Sequence, residues 1–108
     1  MLYFRPEDIG TADCTARFDA LDGETRCGTC TLLIHDGVAD LTALNAQDPE
    51  IGEGLFRAAL NYAANKGVYM AVCSAPDAAA VTARMRFEDK DGVLTNDIPT
   101  LLMGYCGC

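Results

Sequence analysis

Apolar and polar residues alternate along the first part of the chain. In Cys14–Leu21, residues Ala16, Phe18 and Ala20 share one face of an extended segment. Thr25–His35 is rich in Thr, Leu and Ile, and Val38–Leu44 alternates again. A period of two is the signature of a half-buried strand. The segments are separated by Asp22-Gly23 and Asp36-Gly37, and a third such dipeptide, Asp91-Gly92, lies further on. Both residues of Asp-Gly tolerate positive φ, as a two-residue hairpin loop requires. Residues 13–45 are therefore predicted to form a three-stranded antiparallel meander.

The period then changes. Asp48-Pro49-Glu50 reads as a helix start, with Asp48 as N-cap and Pro49 in the first helical position. Ile51, Leu55, Phe56, Ala59, Leu60 and Ala63 make an apolar stripe at helical spacing, and Glu53, Arg57, Asn61 and Asn65 lie on the other side. Lys66-Gly67 supplies a closing cation and a C-cap glycine. The unbroken apolar run Val68–Cys73 predicts a strand buried on both faces. Ser74-Ala-Pro-Asp77 reads as a second helix start with Ser74 as cap, the helix running to Arg86. Phe87–Leu94 and Ile98–Tyr105 read as closing strands. The predicted class is α/β (α+β), in the order β-β-β-α-β-α-β-β. The mixed sheet has six or seven strands, according to whether Leu2–Arg5 adds one, and two main helices.

Composition narrows the class. The 108 residues are 50% hydrophobic, enough for a core, and the length suits a single domain spanning 1–108, with 1–12 as an N-terminal extension and 106–108 as a cysteine-containing tail. Sixteen acidic residues against eight basic ones give a net charge of -8, which argues against nucleic acid or an anionic membrane surface as partner. The apolar runs are too short to span a bilayer, and residues 1–12 do not read as a secretory signal, so a cytoplasmic location is expected.

Six cysteines then call for metal binding, redox chemistry or plain burial rather than disulfides. Cys27-Gly28-Thr29-Cys30 has the spacing of half a zinc site or of a thiol pair. Residues three apart in a regular strand face opposite sides, so convergence of the two thiols needs a bulge at Gly28. The alternative is that both are small buried hydrophobes. Cys106-Gly107-Cys108 closes the chain, and the single histidine, His35, flanks a turn.

The segments VADLTALNAQDPEIGEGLFRAALNYAANKG (Val38–Gly67), APDAAAVTARMRF (Ala75–Phe87) and IPTLLMGY (Ile98–Tyr105) resemble the GNAT superfamily of N-acetyltransferases, over about Cys14–Tyr105. The resemblance implies acetyl-CoA where two parallel strands splay apart, its pyrophosphate on the N–H groups of the long helix's start. It places Leu44, Ala46, Gln47, Gly52 and Gly54 at that cofactor. The family loop has Gln or Arg, two residues, Gly, one residue, then Gly or Ala. Matching Gln47 puts Glu50 at the first glycine, and matching Gly52 and Gly54 loses the leading Gln or Arg. Asp48, Glu50 and Glu53 crowd the helix start. The Tyr acid of many members falls on Thr82, the usual Asn on Ala75, and the Gly before the aromatic strand on Arg86.

The expectation is a GNAT-like core that has lost ordinary acetyl transfer and acts through binding or self-association. The alternatives are an atypical acyl-CoA-dependent acyltransferase and a cysteine metal or redox module. Under the family's strand order Cys27, Cys30 and Cys73 would cluster at one sheet edge and could hold zinc, with Cys106 at the opposite edge. Residues 1–12 leave no room for the family's N-terminal helices. The sheet face they would cover is then expected to be bare, which predicts a homodimer.

Overall fold

The computed structural model describes residues 1–103. Seven strands form one mixed sheet: β1 (Leu2–Asp8), β2 (Ala16–Asp22), β3 (Thr25–His35), β4 (Val38–Ala46), β5 (Met70–Cys73), β6 (Glu88–Lys90) and β7 (Val93–Asp97). Their spatial order is β1-β2-β3-β4-β5-β7-β6. The helices are α1 (Pro49–Asn65), α2 (Ala79–Thr82) and α3 (Ile98–Met103). Among the described strands only β4 and β5 pair in parallel, as the helical crossover between them requires.

The meander is the one the alternation predicts, extended by β1 along its outer edge. Asp36-Gly37 and Asp91-Gly92 form two-residue loops with both residues at positive φ. The first hairpin is displaced by one residue: Asp22 pairs with Thr25, so the loop is Gly23-Glu24, with positive φ at Gly23 alone. A loop of that kind needs glycine only at its first position.

Helix α1 starts and ends where its caps predict. Asp48 accepts from the Ile51 N–H at 2.9 Å, and Gly67 closes the helix at φ 82°. Leu55, Phe56, Ala59, Leu60 and Ala63 are fully buried against Ala16, Phe18, Ala20, Cys30, Leu32, Ala39 and Leu41. The phenol of Tyr62 donates to Asp8 on β1, its ring stands edge-on to Phe18 at 5.5 Å, and Lys66 lies over its face.

Four expectations are corrected. Phe87–Leu94 is not one strand, because Asp91-Gly92 turns it into the antiparallel hairpin of β6 and β7. The strand after α1 is Met70–Cys73 and is buried on one face only: Ala71 and Cys73 are buried, whereas Met70 is exposed. Ser74 does not cap a helix, because its hydroxyl donates to Asp40 at 2.8 Å. Asp77 sits at positive φ, so helix α2 begins only at Ala79. Ile98–Met103 is a helix, not a strand. Asp97 accepts from the Thr100 N–H at 2.9 Å and Pro99 stands in the first turn, the same start signal that opens α1. The rest of that predicted strand, Gly104 and Tyr105, and the Cys106-Gly107-Cys108 tail lie outside the described residues.

Among the described residues the core and the helices lie on one face of the sheet. The other face is mostly polar, carrying Arg5, Arg17, Asp19, Thr29, Thr31 and Asp40.

Candidate functional site

Strands β4 and β5 are hydrogen-bonded only through Val38–Leu41 and Met70–Cys73. Beyond that point the N–H groups of Ser74 and Ala75 both turn onto the Leu41 carbonyl at 3.0 Å, and the chain leaves the sheet. β4 continues to Ala46 without β5 beside it. The result is a cleft with strand backbone on one wall. The start of α1 and helix α2 close it into a cavity of about 490 Å³, lined by Leu44, Ala46, Gln47, Asp48, Asp77 and Val81.

The cofactor residues implied by the sequence divide into two groups. Leu44, Ala46 and Gln47 line this cavity. Gly52 and Gly54 do other work. A Cβ on Gly52 would lie 2.6 Å from Val81 of α2, and one on Gly54 would lie 2.2 Å from the ring of Phe4. Both glycines therefore permit close packing against α1. The helix start is also occupied. Pro49 has no N–H, the Ile51 N–H goes to the Asp48 carboxylate, and the Gly52 N–H goes to the Asp48 carbonyl at 3.1 Å. An incoming pyrophosphate would have to displace a carboxylate from the groups that usually hold it.

Glu53 does not add to the acidity of that mouth, nor is it a solvent-facing residue. Its side chain is 14% exposed and bridges Arg57 at 3.0 Å and Arg84 at 2.9 Å. Arg57 also donates to the Leu102 carbonyl at 2.9 Å, tying α1 to α3. Burial alone would raise the Glu53 pKa, but the hydrogen bonds from Arg84 and Arg57 outweigh it and lower it below the ordinary 4.5. A lowered carboxyl pKa stabilises the fold above 4.5, and that contribution disappears as pH falls through the lower folded value. Glu53→Gln should cost about 2 kcal/mol at neutral pH, the scale of charged hydrogen bonds. Urea unfolding of both proteins at neutral pH and in acid checks this. The gap should close in acid, and a gap that persists there would assign the loss to packing.

A larger cavity, about 700 Å³, lies elsewhere, on the flank of α1 beside Tyr3 and Phe4. Its charged lining includes Glu53, Arg57 and Arg84, already engaged with one another, so we place the candidate site at the cleft instead.

The cysteines are held by separate backbone groups. Cys30 is fully buried on the core face and points its thiol at the Leu55 carbonyl, while Cys27 occupies the extra position of a β2–β3 bulge and points at the Thr25 carbonyl. The bulge foreseen at Gly28 thus exists without bringing the two thiols onto a common partner. Burial, then the nearby Asp19 charge, pushes the Cys30 thiol up to about 12, and burial also raises Cys73. Both are therefore thiols at neutral pH in the metal-free chain, and the thiolate is the nucleophile. Among the described residues no three His, Cys, Asp or Glu side chains come together in a way that could hold a metal. Thr82, at the position of the family's acid, turns its hydroxyl to the Ala79 carbonyl at 3.3 Å. His35 is exposed beside Asp36 at 3.1 Å. The sequence reading missed the arginines Arg5, Arg17 and Arg26 around Asp19. Alternation places Arg17 and Asp19 on one face of β2, but only the strand pairing brings Arg5 and Arg26 to them.

No protein-family model and no curated protein matches the sequence. Solved structures do match in fold. The PaiA N-acetyltransferase of Thermoplasma acidophilum, solved in complex with coenzyme A, superposes with a TM-score of 0.59 at 19% identity, over 75% of this chain and 59% of that one. The ribosomal-protein-S18-alanine N-acetyltransferase of Escherichia coli gives 0.56 at 15% identity, over 76% of this chain and 68% of that one. The chain thus spans less than two thirds of the first of these relatives. What these likenesses show is that the chain has the GNAT N-acetyltransferase fold.

Proposed function

We propose that the chain is a ligand-binding domain that takes a thioester arm in the β4–β5 cleft without ordinary acetyl transfer from CoA. The observation that carries this reading is Asp48, which fills the helix mouth beside an otherwise open cleft. Two unit charges about 4 Å apart repel by roughly 4 kcal/mol at a surface-type dielectric, before screening. The protonated Cys73 and the internally bonded Thr82 supply neither a nucleophile nor an acid for a leaving thiolate.

Calorimetry tests it. Acetyl-CoA should bind no tighter than about 100 µM (roughly 5.5 kcal/mol), and acetyl-pantetheine, which lacks the phosphates, should bind at least as well. Asp48→Ser keeps a good N-cap and removes the charge. It should tighten acetyl-CoA by about tenfold and leave acetyl-pantetheine unchanged. Acetyl-CoA binding by the parent tighter than about 100 µM would overturn this reading in favour of the second one, an acyl-CoA-dependent N-acyltransferase, which the fold of the two similar enzymes favours.

A further inference from the structure

The sheet has β6 at one edge and β1 at the other. An edge strand offers unpaired backbone groups to any extended chain, and proteins usually blunt it with charge, shortness or proline. The β6 edge is blunted in this way, being three residues long, Glu88–Lys90, with every side chain charged. The β1 edge is different at its start. The strand is seven residues long, Leu2 and Tyr3 are each 45% exposed, and Met1 just before them is 97% exposed.

The two ends of β1 show which way its backbone groups point. The Met1 carbonyl accepts from the Gly23 N–H at 3.3 Å, and the Ile9 N–H donates to the Thr15 carbonyl at 3.0 Å. Both therefore face β2. Between them the register runs without a break from Leu2 opposite Asp22 to Asp8 opposite Ala16. The backbone groups of successive residues in an antiparallel strand point to opposite sides. Tyr3, Arg5 and Glu7 thus bond β2, while Leu2, Phe4, Pro6 and Asp8 turn theirs to the outer side, where no described strand lies. Pro6 costs the β1–β2 ladder nothing, and it lacks the N–H that an outer neighbour would need. Glu7 and Asp8 add charge beyond it. The edge is closed from Pro6 onward and open at Leu2–Phe4.

A second copy of the same edge fits this open stretch. Placed antiparallel about a two-fold at Tyr3, Leu2 and Phe4 of each copy exchange both backbone bonds with Phe4 and Leu2 of the other. Pro6 stays outside the pairing. Tyr3 then stands directly opposite Tyr3 of the second copy in the closely spaced type of pair, where two aromatic rings stabilise a sheet. On the helix side Phe4 packs against Gly54 and lines the cavity of about 700 Å³ beside α1. Leu2 shares that side by alternation, so Leu2 of each copy meets the Phe4 wall of the other's cavity. The contact is isologous and uses the open edge of both copies, so it ends at two.

We propose that the chain forms a homodimer by antiparallel pairing of β1 with β1 of a second copy, over residues 1–5. The two sheets join edge to edge rather than through the bare face, and the β4–β5 cleft is left free.

The test is sedimentation velocity of the whole chain at rising concentration, with reductant present so that cysteine cross-links do not contribute. An interface this small predicts a weak dimer, seen at high micromolar concentration and dissociating on dilution. Tyr3→Lys puts like charges opposite each other at an exposed position and should weaken the dimer at least tenfold. Leu2→Pro removes an outward N–H without touching the β2 ladder and should do the same. Tyr69→Ser, at a side chain 56% exposed beside β5, should leave the dimer unchanged. Amide exchange gives the register: the Phe4 amide should gain protection with concentration, and the Asp8 amide should not. A parent that stays monomeric at high micromolar concentration would overturn the proposal. So would a dimer that Tyr69→Ser weakens as much as Tyr3→Lys. Phe4 protection that is independent of concentration would also overturn it, by showing that the chain covers its own edge. None of these results bears on acetyl-pantetheine binding in the cleft.

Discussion

Phe56→Ala should remove about 3–5 kcal/mol of stability, the largest loss we expect from a single substitution. Phe56 is fully buried on the sheet-facing side of α1, within the cluster formed by Phe18, Leu32, Leu41, Leu55 and Leu60. Truncation removes the transfer energy of the ring and leaves a cavity that the sheet cannot close without breaking its ladder. Against the usual 5–15 kcal/mol for a domain, the variant should stand near the edge of folding. Phe56→Leu keeps most of the volume and should cost about 1.5 kcal/mol. Urea unfolding followed by circular dichroism measures both, with an unchanged m-value showing that the same surface is being exposed. A loss below about 1.5 kcal/mol for Phe56→Ala would mean that α1 is not the element that closes the core.

Gly28→Val should cost about 3 kcal/mol, with Gly28→Ala in the range of about 1–3 kcal/mol. A Cβ at Gly28 would lie 2.9 Å from the Asn45 carbonyl oxygen, 3.1 Å from the Ala46 Cα and 3.2 Å from Leu55. The first two are backbone atoms, so relief requires the end of β4 to move rather than a side chain to rotate. The same stretch of β4 leads through the Gly28–Ala46 pairing into the Gln47 N–H bond to the Cys27 carbonyl at 3.2 Å. Thermal unfolding should show the loss. The amide shifts of Asn45 and Gln47 should move even where the variant stays folded. A stable Gly28→Val with native shifts there would show that β3 and β4 do not approach as closely as described.

Gly28 also illustrates what the sequence could and could not convey. The meander, α1 and the crossover to β5 follow from alternation, caps and one helical stripe, because each is set by residues near in sequence. The motif Cys27-Gly28-Thr29-Cys30 invites a reading as two ligands around a flexible residue. The structure uses the glycine for the absence of a side chain, and that depends on Asn45 and Leu55, distant along the chain. Gly52 and Gly54 are similar: their spacing suits a phosphate loop, while Val81 and Phe4 determine their role. Of the site, Leu44, Ala46, Gln47 and the capping role of Asp48 were legible. The pairing of Glu53 with Arg84 and the arginines around Asp19 were not, since strand register and α2 placement create them. The helical Ile98–Met103 was legible in principle, because Asp97 and Pro99 repeat the signal of Asp48 and Pro49.

The seam between β4 and β5 has a mechanical consequence. Four residues on each strand join there, against eight paired positions between β3 and β4. Asp40 and Ser74 clip its open end through a single exposed hydrogen bond. The long ladders of the sheet thus end at β4, the short ones begin at this seam, and the seam is the edge of the cleft. A guest wider than the resting gap can be admitted by spreading a short ladder, with the meander and its helix left as a fixed wall.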